Sequence, residues 1–226
     1  MRWLTRDGLI AACAVGAGTT WGLGWGGLAL LAAFFVSGSL LTQFTERGSP
    51  RRTARQVLAN GAVATVAALF GAWSAASGAI AAAAADTWAT EIGAFSPLPP
   101  RLITSGRRVT RGTSGGITVL GTLGGVAGAL TIAWLARALG PRGTAPGLAT
   151  LTGAGVAGML ADSLLGSTLQ GKYACPACDA RFERGQTVCH EPVVLTGGWG
   201  WLDNDGVNLA ATVVGAGIAA LGPHFW

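Results

Sequence analysis

The sequence predicts an all-α fold: a polytopic membrane helix bundle of about seven transmembrane helices, with the N-terminus cytoplasmic. Three observations predict it. Half of the 226 residues are hydrophobic and 11% are charged, against about 25% charge in soluble domains. The 37 glycines let helix backbones approach closely in lipid, where no hydrophobic force drives association. Thirteen of the fifteen basic residues fall on one side of the proposed spans. A soluble glycine- and alanine-rich core is the other reading of the composition; the long apolar runs favour the membrane. The chain reads as a single transmembrane domain, 1–226, with a cytoplasmic cysteine-containing loop at about 171–203.

The elements follow in order. Met1-Arg2-Trp3-Leu4-Thr5-Arg6-Asp7 opens like a signal peptide, but no small-residue cleavage site precedes a soluble domain. The first span is therefore read at about 7–20, the second at 24–43. Joined around Thr19 to Gly24, this pair could form a hairpin that crosses unevenly. Spans at about 55–72, 75–92, 114–137, 146–170 and 205–222 follow. Several are short or glycine-interrupted for a crossing of ~20 residues.

With the N-terminus inside, thirteen basic residues lie on the inner side: Arg2, Arg6, Arg47, Arg51, Arg52, Arg55, Arg101, Arg107, Arg108, Arg111, Lys172, Arg181 and Arg184. Only Arg137 and Arg142 lie outside. This is a strong positive-inside partition. The basic balance therefore speaks of topology; no nucleic-acid-binding motif is present, and no nucleic-acid partner is expected. All ten acidic residues fall to the same inner side: Asp7, Glu46, Asp86, Glu91, Asp162, Asp179, Glu183, Glu191, Asp203 and Asp205. The chemistry is expected at the cytoplasmic face.

Carboxylates inside apolar helices are costly, and an intramembrane one is a functional-site hypothesis by default. Asp86 and Glu91 end the run Ala81–Ala85. They are five apart, about 140° around a helix, and converge only if the helix loosens near Gly93. Asp162 lies about 12 Å from the inner end of its span at 1.5 Å per residue. Asp162, Gly166 and Gln170 recur every four residues. Asp205 and Asn208 enter the last span, and Asn204 is one turn from Asn208. Divalent-cation ligation by carboxylate oxygens is one reading. A helix-end ion pair, an interhelical hydrogen bond and an ordinary N-cap at Asp203 and Asn204 are the structural alternatives.

Before the fifth span, Arg107, Arg108, Arg111, Gly112, Thr113, Ser114, Gly115 and Gly116 outline a phosphate cradle at a helix start. No Walker lysine ends it, and a basic loop holding lipid head groups is the alternative. Arg51, Arg52, Arg55, Gln56 and Asn60 form a second basic stripe; Arg52, Gln56 and Asn60 share a face. It could hold another anionic group or simply anchor the helix inside. Cys175, Cys178, Cys189 and His190 suggest structural zinc, although adjacent Cys189 and His190 are awkward for one tetrahedral ion. Free thiols or a disulfide are the alternatives. Cys13 reads as packing, and His224 as incidental.

Five motifs carry a resemblance: Arg55-Gln56-Val57-Leu58-Ala59-Asn60-Gly61; Asp86-Thr87-Trp88-Ala89-Thr90-Glu91-Ile92-Gly93; Gly112-Thr113-Ser114-Gly115-Gly116; Asp162-Ser163-Leu164-Leu165-Gly166 with Gln170; and Asn204-Asp205-Gly206-Val207-Asn208. In this order they resemble the integral-membrane family that includes plant and cyanobacterial phytyl-phosphate kinase. The match runs from about Phe34 to the last span, and the cysteine-rich insert departs from it. The resemblance implies phosphoryl transfer from a nucleoside triphosphate, with CTP the expected donor, to an isoprenyl monophosphate such as phytyl or geranylgeranyl phosphate, giving the diphosphate.

The expected catalytic and Mg²⁺ ligands are Asp86, Glu91, Asp162 and Asp205. Arg107, Arg108, Arg111, Gly112, Thr113 and Ser114 would bind the nucleotide. Arg51, Arg55, Gln56, Asn60, Asn204 and Asn208 would bind the acceptor or orient phosphate. The expected partners are the isoprenyl phosphate, the nucleotide and membrane lipids; the sequence is compatible with a homo-oligomer. The expected location is a prokaryotic inner membrane. An ion-coupled transporter or exchanger is the rival, but it predicts polar residues reaching the outer face and an internal repeat, and neither is seen. A non-catalytic lipid-binding or assembly subunit is a third reading. The D-x2-D-G-x2-A-R pattern of CDP-alcohol phosphotransferases is absent.

Overall fold

The computed structural model describes residues 3–45, 51–141, 146–178, 180–183, 185 and 189–222. Arg2, Glu46, Arg47, Arg142, Asp179, Arg184 and His224 lie outside the described residues. Six helices form the body: α1 (Arg6–Thr45), α2 (Ala54–Leu69), α3 (Trp73–Gly93), α4 (Val119–Leu139), α5 (Leu148–Thr168) and α6 (Asn204–Leu221).

The first helix is a hairpin of two limbs. Gly24 sits at φ 66°, ψ −161°, a region open essentially to glycine alone. The limbs fold back on each other. A Cβ on Gly16 would meet Leu28 Cδ1 at 3.6 Å, and Trp3 packs edge-on against Phe35 with centroids 5.8 Å apart. Nothing lies within 4 Å of a Cβ built on Gly24, so substitution there tests backbone strain alone. Gly24→Ala should cost about 1–3 kcal/mol, read as a lowered thermal midpoint in detergent.

α3 is the axis of the bundle. Its residues 79–85 are all buried, and helices from every other part of the chain pack around it. Alanine permits this because it adds almost no radius. Opposite α3 stand glycines: a Cβ on Gly215 of α6 would lie 2.5 Å from Gly78 O. An axis wrapped by other helices does not need a strongly lipophilic surface. This bears on the expected seven spans. By length and composition three helices, α1, α4 and α5, can cross a membrane. α2 has only 16 residues, α3 is alanine with Asp86 and Glu91, and α6 opens on Asn204, Asp205 and Asn208.

The fold is also not purely helical. β1 (Arg101–Leu102) pairs antiparallel with β2 (Gly116–Ile117). Because residues 116–117 pair in a strand, α4 begins at Val119 and not near 114. Thr118 caps it, accepting from Gly121 N. The loop expected at about 171–203 holds a three-stranded antiparallel sheet, in the order β4 (Arg181–Phe182), β3 (Lys172–Ala174), β5 (Val194–Gly197). Both sheets lie at the end of the bundle where α3 and α5 finish and α4 and α6 begin.

Candidate functional site

Three helices meet at a point of unusually close approach. A Cβ on Gly158 of α5 would lie 2.4 Å from Ala82 Cβ of α3 and 2.8 Å from Ala211 O of α6. α3 and α5 run toward the sheet-bearing end, while α6 runs away from it. One turn toward that end brings Asp86 on α3, Asp162 on α5 and Asn208 on α6. Residues three or four apart share a helix face, so the three polar side chains inherit the convergence of the small residues above them. Asp86 and Glu183 both stand within electrostatic reach of Asp162. Asp162 Oδ2 is buried without a hydrogen-bond partner. A buried carboxyl oxygen with no partner is expensive, and a set of carboxyl groups of this kind suits a hard divalent cation.

The glycine loop lies against the next turn of α5. Gly115, at φ 78°, approaches so closely that a Cβ would fall 2.6 Å from Ser163 O. Gly166 faces back, and its own Cβ would lie 3.3 Å from Gly115 N. Gly112 also turns at positive φ, and Thr113 shares a hydroxyl bond with Thr110 at 3.0 Å. Ser114 Oγ donates to Glu183 Oε1. Gln170 is buried at this level, its Nε2 without a partner. The expected cradle thus sits one turn from Asp162, with Glu183 added to it. Nothing in the spacing of the cysteine-containing loop marked Glu183 in advance.

Not every expected residue joins. Arg111 donates from both terminal nitrogens to Ala94 O and Ser96 O, each at 2.5 Å. It closes the carbonyl end of α3, a structural task typical of a cation at a helix C-terminus. Arg107 and Arg108 are exposed around the turn at Gly106. Glu91 does not converge with Asp86, because α3 stays helical through Gly93. It accepts from Thr42 Oγ1 at 2.5 Å and from Thr45 Oγ1, both on the second limb of α1. Asp205 is buried, with its carboxylate 3.5 Å from Arg55 Nε; Arg55 also reaches Asp203 at 2.6 Å. Asn204 and Arg51 are exposed.

Arg52 is the better-placed basic residue. Its guanidinium lies 5.7 and 5.5 Å from the ring centroids of Phe34 and Phe35. Burial pulls it below the ordinary arginine range, and the charge of Glu91 works the other way. Arg52, Gln56 and Asn60 edge a cavity of about 180 Å³ between α2 and the two limbs of α1, whose wall includes Val15, Leu31, Phe34 and Phe35. Gln56 Oε1 accepts from Thr53 N and Asn60 Nδ2 donates to Gln56 O, both at 3.0 Å. Those bonds use Gln56 Oε1 and Asn60 Nδ2.

The cysteines lie apart, on the sheet. Cys175, Cys178 and Cys189 gather with their sulfurs within 4.8 Å of one another; His190 does not belong to that group. Of the expected four-residue set, the described residues bring together the three thiols. Burial alone would raise the Cys175 thiol. Backbone amides of Glu191, Ala177 and His190 outweigh it, together with Cys178, and hold the thiol at about 6.

The family described as "Integral membrane protein DUF92" matches residues 1–216. The uncharacterized membrane protein MJ0933 of Methanocaldococcus jannaschii is 35% identical over 233 residues, covering 97% of this chain and 86% of that protein. Protein PGR of Arabidopsis thaliana is 33% identical over 140 residues, covering 57% of this chain and 47% of that protein. No solved structure matches.

Proposed function

We propose, from the premise that the chain belongs to the integral membrane family DUF92, that it is a magnesium-dependent isoprenyl-phosphate kinase. Phosphoryl transfer asks for little beyond positioning and neutralisation of charge. The observation that carries the reading is the Asp86–Asp162 convergence, with Asp162 Oδ2 buried and unpartnered, beside a loop of close-packed glycines. Asp86 and Asp162 are the residues that would hold Mg²⁺, with Asn208 on the same level. When bound, Mg²⁺ supplies charge neutralisation between the phosphates.

The protein's own groups do the rest. Backbone amides of Gly112–Gly116 and the hydroxyls of Thr113 and Ser114 take the terminal phosphates of the nucleotide, CTP being the expected one. Arg107 and Arg108 meet them from the exposed turn. The first carbons of the isoprenyl chain enter the cavity between α1 and α2, and the remainder runs along lipid. Arg52, Gln56 and Asn60 hold the acceptor phosphate. Glu91 orients Arg52, and Asp203 and Asp205 orient Arg55. An acceptor oxygen then bonds to the terminal phosphorus while the bond from that phosphorus to the bridging oxygen breaks. Nucleoside diphosphate leaves. The acceptor is already an anion, so no base is needed. In this reading seven rods cross the membrane, counting the two limbs of α1, and the site opens to the cytoplasm.

The test is full-length protein in lipid vesicles with terminally labelled CTP, Mg²⁺ and phytyl or geranylgeranyl phosphate. Label in the isoprenyl diphosphate, lost on chelation of Mg²⁺, is the expected result. No transfer from any nucleoside triphosphate to any isoprenyl phosphate sinks the reading. Ion-coupled transport is the rival that the intramembrane carboxylate pair also fits. It would show instead as cation-driven uptake in the same vesicles.

A further inference from the structure

The geometry points to a structural zinc site built from Cys175, Cys178 and Cys189, which fastens the three-stranded sheet over the glycine loop. The three sulfurs fall within 4.8 Å of one another, and Cys178 Sγ lies 3.5 Å from Cys189 Sγ. A tetrahedral ion with Zn–S near 2.3 Å would set its sulfurs roughly 3.8 Å apart. That spacing brackets a common centre. It is far from the S–S bond of about 2.05 Å in a disulfide.

The backbone prepares the site. Cys175 and Cys178 flank the turn between β3 and β4, closed by Cys175 N donating to Ala180 O at 2.9 Å. Cys189 comes from the connection between β4 and β5. The donors thus arrive from two separate segments, as a staple requires. A staple is also needed. The strands have two to four residues each, and two of the three cysteines are exposed, with only Cys175 buried. So small a sheet buries too little apolar area to hold itself, and metal binding of this kind is itself folding free energy. Three soft donors select zinc over magnesium. Among the described residues these three thiols are the donors that gather.

The site has a consequence at the membrane end. Glu183 stands directly after β4. Its carboxylate accepts from Ser114 of the glycine loop, and its charge reaches Asp162. Metal at the thiols therefore fixes where Glu183 stands above the carboxylate pair. The zinc site does not depend on the kinase reading, since its readout is metal content.

The experiment uses the full chain, purified in detergent without a histidine tag or added chelator. Elemental analysis should find one zinc per chain. Cys178→Ser and Cys189→Ser should lose it, and Cys13→Ser should keep it. If the serine variants fail to fold, the unaltered protein still decides. Its three sheet thiols should resist maleimide until a strong chelator is added, and replacement by cobalt should produce thiolate-to-metal charge-transfer absorption. Less than a tenth of an equivalent of zinc, with maleimide labelling all three thiols unprompted, overturns the proposal. So does a Cys178–Cys189 disulfide found by mass spectrometry.

Discussion

Asp162→Asn is expected to lower isoprenyl-phosphate kinase activity at least about a hundredfold, the scale of losing one preorganised charge from a transition state, while leaving the fold intact or firmer. The two halves of this result have one cause. Asp162 presents a buried oxygen that no donor satisfies, next to the carboxyl group of Asp86. Without a cation that arrangement is destabilising. An amide of the same shape removes the charge, and with it both the penalty and the means of gripping a metal. Opposite movements of activity and thermal stability would mark a functional carboxylate. A carboxylate kept for packing would lose stability with its charge. Initial rates across a Mg²⁺ series, set beside melting curves in detergent, separate the two. Unchanged kinetics for Asp162→Asn would remove the metal role.

Gly158→Leu is expected to disrupt the bundle itself. Even a Cβ at this position would fall 2.4 Å from Ala82 Cβ and 2.8 Å from Ala211 O. Both obstacles are parts of rigid helices, so neither can swing aside. Overpacking of a tight interior costs about 1–3 kcal/mol where neighbours can adjust, and here three backbones must separate. Because Asp86, Asp162 and Asn208 stand one turn beyond this contact, the same substitution should also pull the candidate ligands apart. The expected readout is a large fall in thermal midpoint, with activity lost in whatever protein still folds. Gly153 provides the control. It lies on the same helix with nothing within 4 Å of a built Cβ, so Gly153→Leu should be tolerated.

Much of the helical pattern was legible in the chain, for a simple reason. Long apolar runs broken by glycine, charge and proline leave few places for a helix to begin or end. Gly24 marked the hairpin, and the Thr53–Gln56 pair sits at the start of α2. The β-strands were not legible. Residues 101–102 and 116–117 have no alternation to read over two positions, and their pairing depends on the turns between them. Three helices carry the length and apolarity of a crossing by themselves, while α3 is buried by its neighbours.

For the site, residue type narrowed the candidates and direction selected among them. Asp86 and Asp162 stood out because a carboxylate in an apolar helix needs a reason. Glu91 and Asp205 stood out on the same ground, yet the one is taken by Thr42 and Thr45 and the other lies against Arg55. Arg111 looked like a phosphate ligand and closes the end of α3 instead. Glu183 and the aromatic bed of Arg52 could not be foreseen, because both arise from segments distant in the chain.

By itself, the sequence determined that this is an integral membrane protein rich in helix, because transfer into lipid is a sum over residues and needs no partner. Tertiary structure alone decided which of those acids face each other. That choice is made by small residues: where Ala82, Gly158 and Ala211 let three helices touch, the next turn sets Asp86, Asp162 and Asn208 at one level. Contact between helices depends on rotation about their axes, and rotation is fixed only when the helices pack.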